Sequence, residues 1–286
     1  MFRKKSLDNL LSSALVFMCI CYFSVIATAQ RGKDLGKPAT DLEAKLLLYK
    51  DQYLLREPIW VEITVTNKGE EEGWFYFARF AGFKIKDSKG QEYACHVSIS
   101  TAGANTIKPK ETFEYETNLL LWYGEPEDSL HVQYYLPPEK YNVFYLLDKK
   151  ATSEKYQFEV VQPKLDELDA MNLIKEAYNL MIDKKWDESS DKFKEIIRKY
   201  PNSEYTSYAM LRVANTLEDL YQLIEKFPHS REAVRVVSSI AGILKNKKDK
   251  QGFIEGMNGL VKRYPDTDIA KEAQKQLEKL DQLKFE

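Results

Sequence analysis

The pattern of apolar and polar residues changes period once, at the Gln162-Pro163 step. Before it, apolar residues alternate with polar ones. In "IWVEITVTNKGE", Ile59, Val61, Ile63 and Val65 alternate with Trp60, Glu62, Thr64 and Thr66. That predicts a half-buried strand closed by an Asn67-Lys68-Gly69 turn. "FKIKDSKGQEY" predicts two short strands around a hairpin turn. "IKPKETFEYETNLLLW", "LPPEKYNVFYLL" and "KYQFEVV" add further strands. About seven short strands between regular turns predict an antiparallel β-sandwich over residues 41–161. Residues 30–40 are expected to be a flexible segment and 162–166 a short linker, so the two halves should touch.

After the linker, over 167–286, apolar positions recur at helical spacing. Three phrases punctuate them: "RKYPNSEY", "EKFPHSRE" and "KRYPDTDI". Aligned on Pro201, Pro228 and Pro265, the preceding helices fall into register, Phe193 with Leu220 and Met257. Each proline ends a helix. Ser203, Ser230 and Thr267 are expected to cap the next one, and Glu204, Glu232 and Asp268 to face its dipole. After the caps, Ala209, Val236 and Ala273 correspond. The unit is a helical hairpin, repeated as in a solenoid.

The 286 residues are 44% hydrophobic and 30% charged, which argues against disorder and against a polytopic membrane protein. A net charge of −2 provides no basic field for nucleic acid, and none is expected as a partner. Arg3, Lys4 and Lys5, an apolar run from Leu10 to Ile26, and Ala27-Thr28-Ala29 read as an export signal over residues 1–29. The alternative is an uncleaved anchor. The expected location is the periplasm or the exterior, with peripheral or no membrane contact. Cleavage would leave Cys95 as the single cysteine, so no internal disulfide can form.

Two resemblances follow from these residues. "VEITVTNKGEE", "FKIKDSKGQEY", "IKPKETFEYETNL" and "LPPEKYNVF" resemble the Ig-like BsuPI-type accessory domain, named after an intracellular proteinase inhibitor of Bacillus. Lys140 stands where that family usually has Gly. Leu173, Ala177, Leu180, Ser189, Phe193, Ile196 and Pro201 resemble the tetratricopeptide (TPR) repeat of bacterial outer-membrane assembly and cell-division coordinator proteins. The prolines are 27 and 37 residues apart instead of a constant 34. The implied fold class is multi-domain, an Ig-like sandwich followed by TPR-like helices. The implied function is a non-catalytic protein-interaction or scaffold protein of the cell envelope, with a protein or peptide partner.

Candidate binding residues lie on both halves. Ile174, Tyr178, Met181, Tyr208, Leu211, Arg235 and Ser238 mark the groove of the helices. Ile174, Tyr178 and Met181 form a second apolar stripe that either binds a peptide or docks the sandwich. Trp74 and Tyr76, on "WFYFARF", could stack on sugars or grip a peptide. They carry the alternative reading, a carbohydrate-binding or proteinase-inhibitor-like module. No catalytic residue, metal site or cofactor is expected. His96 and Cys95 are adjacent on a strand and face apart, and neither a P-loop nor H-E-x-x-H is present.

Overall fold

The computed structural model describes residues 36–78, 82–96, 103–126, 134–147 and 151–280. The segment read as an export signal, residues 1–29, lies outside the described residues. Among those described, strands run in chain order as β1 (Leu42–Leu48), β2 (Gln52–Leu54), β3 (Trp60–Asn67), β4 (Gly73–Phe77), β5 (Phe83–Asp87), β6 (Glu92–Tyr93), β7 (Gly103–Ile107), β8 (Thr112–Asn118), β9 (Glu125–Pro126), β10 (Tyr134–Tyr135), β11 (Glu139–Leu147), β12 (Ala151–Thr152) and β13 (Tyr156–Val161). Helices follow as α1 (Leu165–Ile182), α2 (Trp186–Lys199), α3 (Thr206–Val213), α4 (Leu217–Lys226), α5 (Arg231–Asn246), α6 (Lys250–Arg263) and α7 (Asp268–Glu278).

The strands form a three-stranded sheet β1-β3-β8 and a larger one ordered β2-β13-β11-β5-β6, with β12 on β11. Two ribbons, β4-β7 and β9-β10, complete them. The β2–β13 pairing is parallel. Alternation decides which side chains go inward: Val61, Ile63 and Val65 of β3 are buried against Ile85, Tyr141, Val143 and Phe158 of the larger sheet. The fixed register, Ile63 opposite Leu46 on one side and Tyr115 on the other, keeps these residues on one face.

The helices follow the punctuation. Tyr200, Phe227 and Tyr264 are the C-cap residues of α2, α4 and α6, each immediately before its proline. Phe193, Leu220 and Met257 are buried, as are Ala209, Val236 and Ala273. Ser230 and Thr267 cap α5 and α7 by accepting from the N–H groups of Ala233 and Ala270. Ser203 departs from the expectation. The helix after Pro201 starts at Thr206 without a side-chain cap; Ser203 Oγ accepts from the N–H of Tyr205, just before the helix, and donates to Glu167 at 2.5 Å. The short spacing to Pro228 has a local cause. Thr216 and Asp219 form a capping box that starts α4, which limits α3 to eight residues.

Two discrete domains, an Ig-like sandwich and a TPR-like array, were the expectation. The structure corrects it: sheets and helices form one continuous β/α unit. The reason lies on the outer face of β1-β3-β8. Trp60, read as the polar side of an alternating strand, packs with Ala170, Ile174, Ala177, Phe193 and Tyr208 of the helices. Glu62, Glu114 and Glu116 follow it on the same face. Arg231 and Arg235 of α5 and Lys275 of α7 meet these carboxylates. The sheet thus has no solvated outer face at this place. An acidic strand surface is covered by a basic helix edge.

Candidate functional site

A cleft of about 320 Å³ opens where the two halves join. One wall comes from the chain between β1 and β3, with Tyr49, Lys50, Tyr53, Glu57 and Trp60. The other comes from two of the proline turns, with Ser203, Glu204, Ser207, Phe227, His229, Arg231 and Glu232. The repeated turns therefore do more than separate helices: two of them supply the helical wall.

The aromatic groups are held from behind. The Arg231 guanidinium lies 3.9 Å from the Tyr49 ring centre, and that of Arg235 lies 3.9 Å from the Trp60 ring centre. The Trp60 indole N–H donates to Glu232 Oε1 at 2.8 Å, and Ser207 Oγ donates to Glu232 Oε2 at 3.1 Å. Glu232, expected to face the dipole at the start of a helix, is buried there as the acceptor for both halves. Tyr49 OH donates to Glu62 Oε2 at 2.5 Å. Burial and the hydrogen bond to Glu62 push the Tyr49 hydroxyl far above its ordinary value, so it stays protonated.

Lys50 bridges the walls. Its ammonium is 2.6 Å from Glu57 Oε1 and 2.9 Å from Glu204 Oε2. Burial opposes its charge, but the two carboxylates outweigh burial and raise it above the ordinary lysine value. Burial pushes the Glu57 carboxyl up, against the pull of Lys50 and the Leu54 N–H. Burial also pushes the Tyr53 hydroxyl up, to about 12. The cleft lining balances Lys50, Lys226 and Arg231 against Glu57, Glu204 and Glu232. It offers the half-buried rings of Tyr49 and Phe227, hydroxyls and paired charges, with no excess of either sign. Such a lining suits a neutral ligand rich in hydroxyl groups.

The residues singled out from sequence fall in several places. Ile174 and Tyr208 are buried in the apolar cluster that also holds Trp60, with Tyr178 and Met181 packed on it. Tyr178 and Tyr208 share a hydroxyl–hydroxyl contact, and Met181 lies beside Arg212. The stripe therefore docks the sheet. Leu211 is half-buried against the second helical cluster. Arg235 stacks on Trp60, while Ser238 is exposed and donates to Glu272. Trp74 and Tyr76 form an edge-to-face pair at 4.9 Å on the opposite face of β4 from Phe75 and Phe77. Tyr76 is 42% exposed, and the Trp74 indole donates to Gly36 O. Cys95 is half-buried, and the His96 ring stacks on Tyr134. Sequence reasoning missed Tyr49, Lys50 and Glu57. Their signal was a polar, aromatic stretch between two strands, "YKDQYLLREP".

No family model matches the chain, and no curated protein does. Similar solved structures include a β-glucosidase mutant from Listeria innocua in complex with laminaribiose, 17% identical over 44% of this chain and 16% of that one, TM-score 0.30. A β-glucosidase from Erythrobacter marinus is 13% identical over 43% of this chain and 16% of that one, TM-score 0.29. The sporulation control protein Spo0M from Bacillus subtilis is 13% identical over 48% of this chain and 56% of that one, TM-score 0.26. This chain thus spans about a sixth of the β-glucosidases' length. At these TM-scores the likeness carries no argument about activity.

These findings correct the two resemblances. No match assigns the chain to the BsuPI-type family or to the TPR family. The non-catalytic scaffold function was drawn from those families and falls with them; the exclusion of an enzyme rested on missing motifs and falls too, because a missing motif excludes no activity. The peptide groove has no room for a partner at Ile174 and Tyr208, because the sheet already covers them.

Proposed function

We propose that the protein binds a neutral saccharide in the cleft between sheet and helices. One observation carries this reading: the half-buried rings of Tyr49 and Phe227, with the buried Tyr53 and Trp60 behind them, line the same cleft as a balanced set of carboxylates, cations and hydroxyls. Aromatic faces take the C–H side of a sugar ring, and the polar groups take its hydroxyls. Export by the N-terminal segment would place the cleft where free glycans occur, and that location is part of the proposal.

The test is a glycan array followed by calorimetry. Binding of at least one neutral oligosaccharide is expected, weakened about tenfold or more by Phe227→Ala at the cleft rim. Tyr76→Ala, on β4 and outside the cleft lining, should leave it unchanged. Binding lost with Tyr76→Ala and kept with Phe227→Ala would move the site to β4 and defeat the reading. The same incubations are assayed for released reducing sugar, because Glu57 and Glu204 both contact Lys50 in the cleft wall.

A further inference from the structure

We infer that Glu116, which does not line the cleft, is the residue that positions its two principal aromatic side chains. Glu116 is on β8, on the outer face of the three-stranded sheet. Its Oε1 accepts from Arg231 Nε at 2.8 Å, and its Oε2 lies 3.1 Å from Arg235 Nη1. One carboxylate thus fixes two guanidiniums, each by a charge-assisted contact. Each guanidinium then lies against a different ring, Arg231 on Tyr49 and Arg235 on Trp60. Such stacking is attractive and orients the ring. The rings are tied at their other ends as well, Tyr49 to Glu62 and Trp60 to Glu232. Glu62 also approaches Arg231 Nη2, at 3.5 Å.

The arrangement has a direction. Tyr49, Trp60, Arg231 and Glu232 line the cleft. Glu116 and Arg235 line a separate polar depression behind it, with Glu114 and Lys275. Glu116 side chain is 20% exposed and Arg231 15% exposed, so water competes weakly for these contacts. Removing the carboxylate leaves Arg231 with the more distant Glu62 and deprives Arg235 of its ion pair with Glu116. Both guanidiniums then swing toward solvent, and both rings lose their backing. This inference rests on the saccharide reading for its effect on affinity, but not for its effect on Trp60.

The test is therefore built on Trp60. A protein with Trp74, Trp122 and Trp186 changed to Phe reports Trp60 alone. In that background Glu116→Gln should shift Trp60 emission to the red and at least double its quenching by acrylamide. Arg235→Lys keeps the charge and loses the planar stack, and should give an intermediate effect. It serves if Glu116→Gln folds poorly. Cellobiose is the binding probe in the native-tryptophan protein. Glu116→Gln should weaken it about tenfold at a temperature where both proteins are fully folded. A purely structural role would lower the melting temperature and leave the affinity of the folded fraction intact. Unchanged Trp60 emission and quenching in both variants would overturn the inference. A shifted Trp60 signal with no cellobiose binding to either protein would uphold the positioning role and count against the saccharide reading.

Discussion

Gly124 holds φ at +125°, and a Cβ built there would lie 2.4 Å from the carbonyl oxygen of Tyr135. Two costs coincide at this residue, backbone conformation and a clash with rigid backbone. Gly124→Ala is expected to lower stability by about 1–3 kcal/mol in urea titration. Lys248 shows the reverse case. It sits just past α5 with φ at 58°, and its N–H donates to Lys245 O. A side chain in this left-handed conformation costs about 1–2 kcal/mol, and glycine returns part of that as unfolded-chain entropy. Lys248→Gly should raise stability by up to about 1 kcal/mol. A loss of stability on making Lys248→Gly would mean that its side chain has a role the backbone argument omits.

Elements carry a different kind of legibility. The inward residues of β3 and the proline stops could be read directly, because periodicity and proline chemistry act within a few residues of each other. Ser230 and Thr267 cap helices as their positions suggest, since a cap needs only its own turn. Ser203 does not: it sits too early, two residues before the N-cap Tyr205, where its Oγ accepts from the Tyr205 N–H and donates to Glu167, 36 residues earlier in the chain. The cleft was hardly legible because its partners are distant in the chain. Lys50 meets Glu204 across 154 residues, and Trp60 meets Glu232 across 172. Alternation marked Trp60 as outward, and it is outward from its sheet; the covering helix edge has no local signature. Side-chain size also misleads at this scale. Trp186 is 60% exposed at the start of α2, whereas Phe253 of α6 is fully buried. Phe253→Ala should cost about 3–5 kcal/mol. Trp186→Ala should stay within about 0.5 kcal/mol. Comparing the two urea midpoints checks both.

At the scale of the whole molecule, the join between sheet and helices decides how the chain unfolds. Two domains on a short linker would melt separately. Here Trp60 lies inside the helical cluster, Tyr205 OH donates to Leu55 O at 2.6 Å, and Arg231 pairs with Glu116 on β8. Each half buries groups that only the other half can satisfy. Opening the join would expose Trp60 and strand several charged groups, a cost of several kcal/mol. That coupling exceeds what is needed to merge two transitions into one. The protein is therefore expected to show a single calorimetric transition, with calorimetric and van't Hoff enthalpies equal. Trp60→Ala removes the largest shared side chain and the hydrogen bond to Glu232. It should split the transition in two, with the helical part melting at the lower temperature, because its first cluster loses a core member. The sheet core does not include Trp60 and should melt near its original temperature. Two separate transitions already present in the unmodified protein would show that the join is too weak to act as one unit. A cleft built across it would then be open for much of the time.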